Sequence, residues 1–280
     1  MKFYRILCSE WLKTKNTAIR KLMISIPILY TGSILAYIFT HTIKGNAAVT
    51  IFDAFFQIWT YAILPIGAGL ITSLMVGQEE QAGEFNGFLG TSFSKMSMYL
   101  GKLLMVFFIS TMSLLISVIL LFAGLKIRAV YMPNAYNIDM NIKIFLQAVA
   151  LAQGSAMPIF IIQLCIALAF GKGASIGLGC GGSLISGIIG GTRLGDSMWK
   201  FIPWTLPIRM SDYLKFFMYH RVKNINKIEV IGADYIAKGT LNFISKEVFG
   251  GAIATLLISI ILIFLATIWF NRWEGRKVYD

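Results

Sequence analysis

Residues 103–125 read LLMVFFISTMSLLISVILLFAGL, with Lys102 immediately before them and Lys126 immediately after. The run holds no Asp, Glu, Lys, Arg or His. About 20 such residues wound as an α-helix cover the ~30 Å hydrocarbon layer of a bilayer. The stretch therefore predicts a membrane-spanning helix. Working outward, five further runs satisfy the same test: 22–40, 54–77, 144–170, 174–192 and 248–270. The run 174–192 is rich in glycine and less hydrophobic, so a broken or re-entrant helix is the alternative there. The expectation is an all-α integral membrane protein with six transmembrane helices in a single domain, residues 1–280.

Composition agrees. Of 280 residues, 57% are hydrophobic and 14% are charged, whereas soluble domains sit near 45–50% apolar and about 25% charged. The formal net charge of +12 does not point to nucleic acid, because basic residues flanking apolar spans orient helices against anionic lipid. Cys8, Cys165 and Cys180 form no C-x-x-C pair, so neither a disulfide framework nor a zinc site is implied.

Orientation follows from the bases. Lys2, Arg5, Lys13, Lys15, Arg20 and Lys21 precede the first span, and Arg272, Arg276 and Lys277 follow the last. Six spans put both ends on one side, and the positive-inside bias makes that side the cytoplasm. The connection 78–102 and the Lys172 turn then face inward, and residues 193–247 form a long extracellular loop. The first span is expected to be a retained anchor, since its apolar run is too long for a cleaved leader. Pro27, Pro65 and Pro158 fall inside spans, and each predicts a kink.

Catalytic and metal-binding patterns are missing. Only His41 and His220 are present, with no H-E-x-x-H and no G-x-S-x-G motif. Gly171-Lys172 is not the end of a phosphate-binding loop, because Ile166 stands where its first glycine would be and Gly173 where Ser or Thr would follow. An enzyme is not expected, and no cofactor or metal is implied. Inside the spans, Gln153, Ser155 and Gln163 could line a substrate path or bond between helices. Gly177, Gly181, Gly187 and Gly191 are spaced for close helix packing.

The connection 78–102 is QEEQAGEFNGFLGTSFSKMSMYLGK. Glu79, Glu80 and Glu84 beside an anionic leaflet call for a protein partner or water. Phe85, Phe88 and Leu89 recur at i, i+3, i+4, one face of a short helix suited to docking in a groove. With Gly83, the Ser-rich break and Lys102, this connection resembles the coupling element of permease subunits of type-2 ABC transporters. The resemblance implies that Glu79, Glu80, Gly83, Glu84, Phe88 and Leu89 engage an ATP-binding subunit.

Residues 1–21 predict an amphipathic interfacial helix, with Phe3, Leu7 and Trp11 on one face and bases free to reach lipid headgroups. Trp11, Trp199 and Trp204 read as interfacial anchors. The segment W-K-F-I-P-W-T-L-P (199–207) and the tail W-F-N-R-W-E (269–274) are similar to lantibiotic immunity permeases. That resemblance implies a bacterial cell membrane, two copies of an ATP-binding subunit, a second permease or second copy of this chain, and export of an antimicrobial peptide. One feature strains it. The outer loop carries nine bases against five acids, a balance that would not recruit a cationic peptide. A permease for a drug, lipid or polysaccharide, or a non-transporting sensor or assembly protein, is the alternative.

Overall fold

The computed structural model describes residues 2–41, 43, 46–83, 85, 94–132, 138, 140–192, 195–215 and 237–274. Among them every regular element is helical: α1 (Lys2–Lys13), α2 (Ala18–Thr40), α3 (Ala47–Ile58), α4 (Leu64–Gln81), α5 (Lys95–Tyr131), α6 (Ile142–Ser155), α7 (Met157–Phe170), α8 (Lys172–Ile185), α9 (Leu206–Asp212) and α10 (Ala237–Arg272). Five helices are long and apolar enough to cross a membrane: α2, α3 with α4, α5, α8 with its continuation to Gly190, and α10. The pair α6–α7 makes a sixth if it crosses as one span bent by 42°.

The proline positions account for two interruptions. Pro65 cannot donate an N–H, and its ring crowds the carbonyl four residues back. The turn before it, Trp59–Ile63, opens into a π-helix in which the Leu64 N–H donates to the Trp59 carbonyl, so α3 and α4 run on as one 35-residue span. That span begins seven residues before the expected 54. Between α6 and α7 the ladder breaks at Ala156, ahead of Pro158, where the Ala156 N–H reaches back only to Gln153 and Gly154. The Ser155 hydroxyl satisfies the Leu151 carbonyl at 2.5 Å. The α7–α8 turn is a single residue, Gly171 at φ +87°, a conformation that side-chain-bearing residues rarely adopt.

The tightest crossing joins α4 to α8. A Cβ on Gly69 would meet the Ser175 carbonyl at 2.7 Å, and one on Gly179 would meet the Pro65 carbonyl at 2.8 Å. The glycine spacing expected to mediate packing is therefore corrected. Gly177, Gly181 and Gly187 have open space where a Cβ would stand, and the glycines in contact are Gly179, Gly182, Gly190 and Gly191. At one end of the bundle Phe52, Phe55, Phe56 and Phe145 form an aromatic core, with Phe122 edge-on to Phe145. Tyr30 joins it by donating to the Phe55 carbonyl. The last span buries little of itself, 11% of its most apolar stretch, and exposes a row of Ile, Leu and Phe from Phe249 to Ile268 that suits lipid.

Candidate functional site

The end of the bundle opposite the aromatic core gathers α1 and the end of α10 around the two roots of the connection, Gln81 and Lys95. Lys102 lies two turns into α5 and is 1% exposed. Its ammonium donates to Glu10 at 2.8 Å and to Glu79 at 2.7 Å. Lys13 also donates to both carboxylates, at 2.8 and 2.7 Å. Two cations thus alternate with two anions. Glu10 and Lys13 share a face of α1 because they are three apart in a helix. That face reaches α5 because Gly101 leaves a notch, where an added Cβ would lie 2.6 Å from Ile6. Burial works against the Lys13 charge, but Glu10 and Glu79 more than offset it and raise its pKa above the ordinary lysine value.

The Glu79 carboxylate pairs with Lys102 and Lys13 inside the chain. Glu80 is half-buried on the last turn of α4. Gly83, at φ +122°, and Phe85, at φ +67°, turn the chain back. Phe85 is 1% exposed and packs edge-on to Trp273 at 5.0 Å, so it faces the interior and does not share an outward docking face. Glu84, Phe88 and Leu89 lie outside the described residues.

The second root is gripped by the end of α10. Lys95 donates to the Trp273 carbonyl at 2.8 Å and to the Asn271 carbonyl at 3.3 Å, satisfying the open carbonyls of a helix terminus. Trp273 stacks on Phe270, which leans on Tyr99 of α5.

The expected interfacial helix ends at Lys13 rather than Lys21. Its buried face centres on Ile6 and Glu10, while Phe3 is exposed. Trp11 is half-buried, edge-on to Phe108 at 5.6 Å and covered by Arg20 at 4.1 Å. Trp199 is buried against Leu206 and Met210, so it anchors the outer segment to the protein and not to headgroups. Trp204 lies over Gly182, where a Cβ would be 2.0 Å from its indole nitrogen.

The intramembrane amides are buried among helices. Gln153 accepts from Ser110 at 3.1 Å, and Gln163 is fully buried. With its amide turned to suit its neighbours, Gln163 donates to the Ser175 carbonyl at 3.0 Å and accepts from the Gly179 N–H at 3.1 Å. Ser175 in turn meets Thr72 at 2.9 Å. Gln163 thus ties α7 to α8, and α4 joins through Thr72. These contacts hold helices together, and the described structure opens no path along them.

At the end of the bundle away from the ionic cluster, three bases of the expected extracellular loop are paired: Lys200 with Glu247, Arg209 with Asp196, and Lys215 with Asp212 and Asp53. Among the described residues no group of three or more His, Cys, Asp or Glu is placed to hold a metal ion.

The ionic cluster was not legible as a site from sequence. One signal was there: Glu10 is the only acid among the first 21 residues, set three before a lysine on a helix otherwise rich in bases.

Residues 6–185, from α1 to the end of α8, match the family model of the ABC-2 family transporter proteins. The chain belongs to that family. It is the membrane permease of an ABC transporter, and membership implies an ATP-binding partner chain that supplies the hydrolysis. The match ends before the Trp199–Pro207 segment and the last span. No curated protein and no solved structure matches the chain.

Proposed function

We propose that this permease exports an antimicrobial peptide across a bacterial cell membrane, with both termini and the 78–102 connection in the cytoplasm. It works with two copies of an ATP-binding subunit and a second permease or second copy of itself. The observation that carries the coupling part is the double grip on the connection: α1 holds one root through Glu79 and Lys102, and α10 holds the other through Lys95 and Trp273. A solvated loop needs no such clamps. Displacement of a clamped connection moves helices rather than bending backbone, because packed elements shift as units. Residues 80–94, with Glu80, Gly83, Glu84, Phe88 and Leu89, would meet the ATP-binding subunit.

The peptide substrate is supported by the resemblance of residues 199–207 and 269–274 to lantibiotic immunity permeases. Of the bases in that loop, Lys200, Arg209 and Lys215 are each paired with an acid, which fixes where those charges sit without changing the loop's balance. Pairing with a second permease has a candidate surface in the open Gly177–Gly181 face of α8, because small residues allow close helix approach in lipid.

The test is co-expression with its ATP-binding subunit, followed by growth challenge with a cationic lantibiotic and with a panel of drugs. Protection confined to the peptide supports the proposal. Protection confined to a drug replaces the substrate class and leaves the coupling reading standing.

A further inference from the structure

Helix α1 is attached in three places, each to a different part of the machinery. Ile6 fills the notch over Gly101. Glu10 and Lys13 complete the charge balance of Lys102 and Glu79, which flank the connection. At the far end of α1, Arg20 folds back from the start of α2. Its Nη2 donates to the Trp11 carbonyl at 2.8 Å, and its Nε donates to Thr14 at 3.1 Å. Thr14 donates to the Trp11 carbonyl at 2.8 Å, and Thr17 to the Thr14 carbonyl at 2.7 Å. The joint between α1 and α2 is therefore a closed, hydrogen-bonded elbow with Asn16 at φ +60°.

A helix that only floats on a membrane surface turns an apolar face to lipid and its charges to water. Here Glu10 of α1 is buried, and Lys13, on the exposed edge of the same helix, reaches in to it and to Glu79. Pulling α1 away would take Glu10 from Lys102 and Lys13 from Glu79 and leave only their mutual contact at 2.7 Å, and a buried charge that loses a counter-charge is disfavoured. α1 must then follow wherever the roots of the connection go. Helix α2, which the elbow carries, lies mainly along α5 and touches α4 little, while Tyr30 ties its middle to the Phe55 carbonyl.

We propose that α1 is itself a working part of the coupling element: Lys102 and Glu10 position it on the roots of the connection, and the Arg20 elbow passes its displacement to α2. This rests on the coupling reading above and extends it to residues at the N-terminus and to a specific charge cluster.

The experiment uses the full chain with Cys8, Cys165 and Cys180 replaced, in complex with its ATP-binding subunit in lipid nanodiscs. Spin-label pairs at Ser9/Met96, Ser9/Phe170 and Met96/Phe170 are compared without nucleotide and with ATP plus vanadate. All three label sites are exposed. The expected result is that Met96–Phe170 and Ser9–Phe170 shift together, by roughly 2 Å or more, while Ser9–Met96 stays fixed. In the Glu10→Gln/Lys13→Gln variant, which leaves Glu79 paired with Lys102, Ser9–Met96 should broaden and the Ser9–Phe170 shift should vanish. A Met96–Phe170 shift with Ser9–Phe170 unchanged in the unaltered cluster overturns the inference while sparing the coupling reading. No nucleotide response at Met96–Phe170 sinks the coupling reading and this inference with it. If the double variant does not accumulate, Arg20→Gln replaces it. The Ser9–Phe170 shift should then persist while the shift from Ile24 of α2 to Phe170 disappears, and persistence of both removes the elbow from the path.

Discussion

The Lys102 ammonium lies 2.8 Å from the carboxylate of Glu10, a residue 92 positions earlier in the chain. Neither is visible from solvent in any useful degree, at 1% and 4% exposure. Their contact pins the N-terminal helix to the third span at the level where the connection enters the membrane.

Removing one partner of that contact should cost far more than removing a surface charge. Lys102→Met leaves Glu10 and Glu79 facing each other with Lys13 alone between them. The expected loss is about 3–5 kcal/mol, read as a fall in the thermal unfolding midpoint of the detergent-solubilised permease. Lys15→Met, on an exposed position, should change the midpoint within about 0.5 kcal/mol.

The same cluster predicts a pH dependence with a definite sign. Lys13 has its pKa raised in the folded chain, since Glu10 and Glu79 outweigh its burial. A raised folded-state value gives stabilisation that is complete below the unfolded value of about 10.4 and is lost as pH climbs through the folded one. The stability difference between the wild type and Lys13→Gln should be constant across neutral pH and shrink only above about pH 10.5. Unfolding midpoints measured for both proteins across that range check it.

Glycines on α8 should separate into two groups. Gly179→Val drives a side chain against the Pro65 carbonyl, already 2.8 Å from an ideal Cβ. Backbone cannot yield as a side-chain tip can, so a loss of about 1–3 kcal/mol is expected. Gly177→Ala has open space and should leave the isolated permease unchanged. Retention of a monodisperse elution peak after stepwise heating reads both variants.

Trp199 distinguishes a protein anchor from a lipid anchor. Packed on Leu206 and Met210, it should cost about 3–5 kcal/mol when cut to alanine. Its fluorescence should resist quenching by brominated lipid. Phe201, 78% exposed and replaced by tryptophan, should be quenched.

How far the sequence reaches can be judged from particular stretches. The run 103–125 and its companions announce helices because lipid imposes one simple rule on every residue in contact with it. Pro158 likewise announces its bend, since the missing N–H is a local fact. The ionic cluster is different. Glu10 lies far from Glu79 and Lys102 in the chain and joins them on a helix that packs where Gly101 admits Ile6, a three-dimensional fit with no periodicity to betray it. Trp199 misleads for the opposite reason: its residue type suits the membrane interface, but Leu206 and Met210 arrive from the following helix, α9, and cover it. Gly177 and Gly179 carry the same residue type, and only the placement of α4 decides which of them is in contact.

The central claim is that the connection between Gln81 and Lys95 is where the ATP-binding subunit meets this permease. Gln81 and Met198 are both exposed, at opposite ends of the bundle. A photo-crosslinking amino acid placed at each in turn, in membranes containing the assembled transporter, asks the question directly. The predicted result is a covalent adduct with the ATP-binding subunit from position 81 and none from position 198. An adduct from 198 with none from 81 would contradict it.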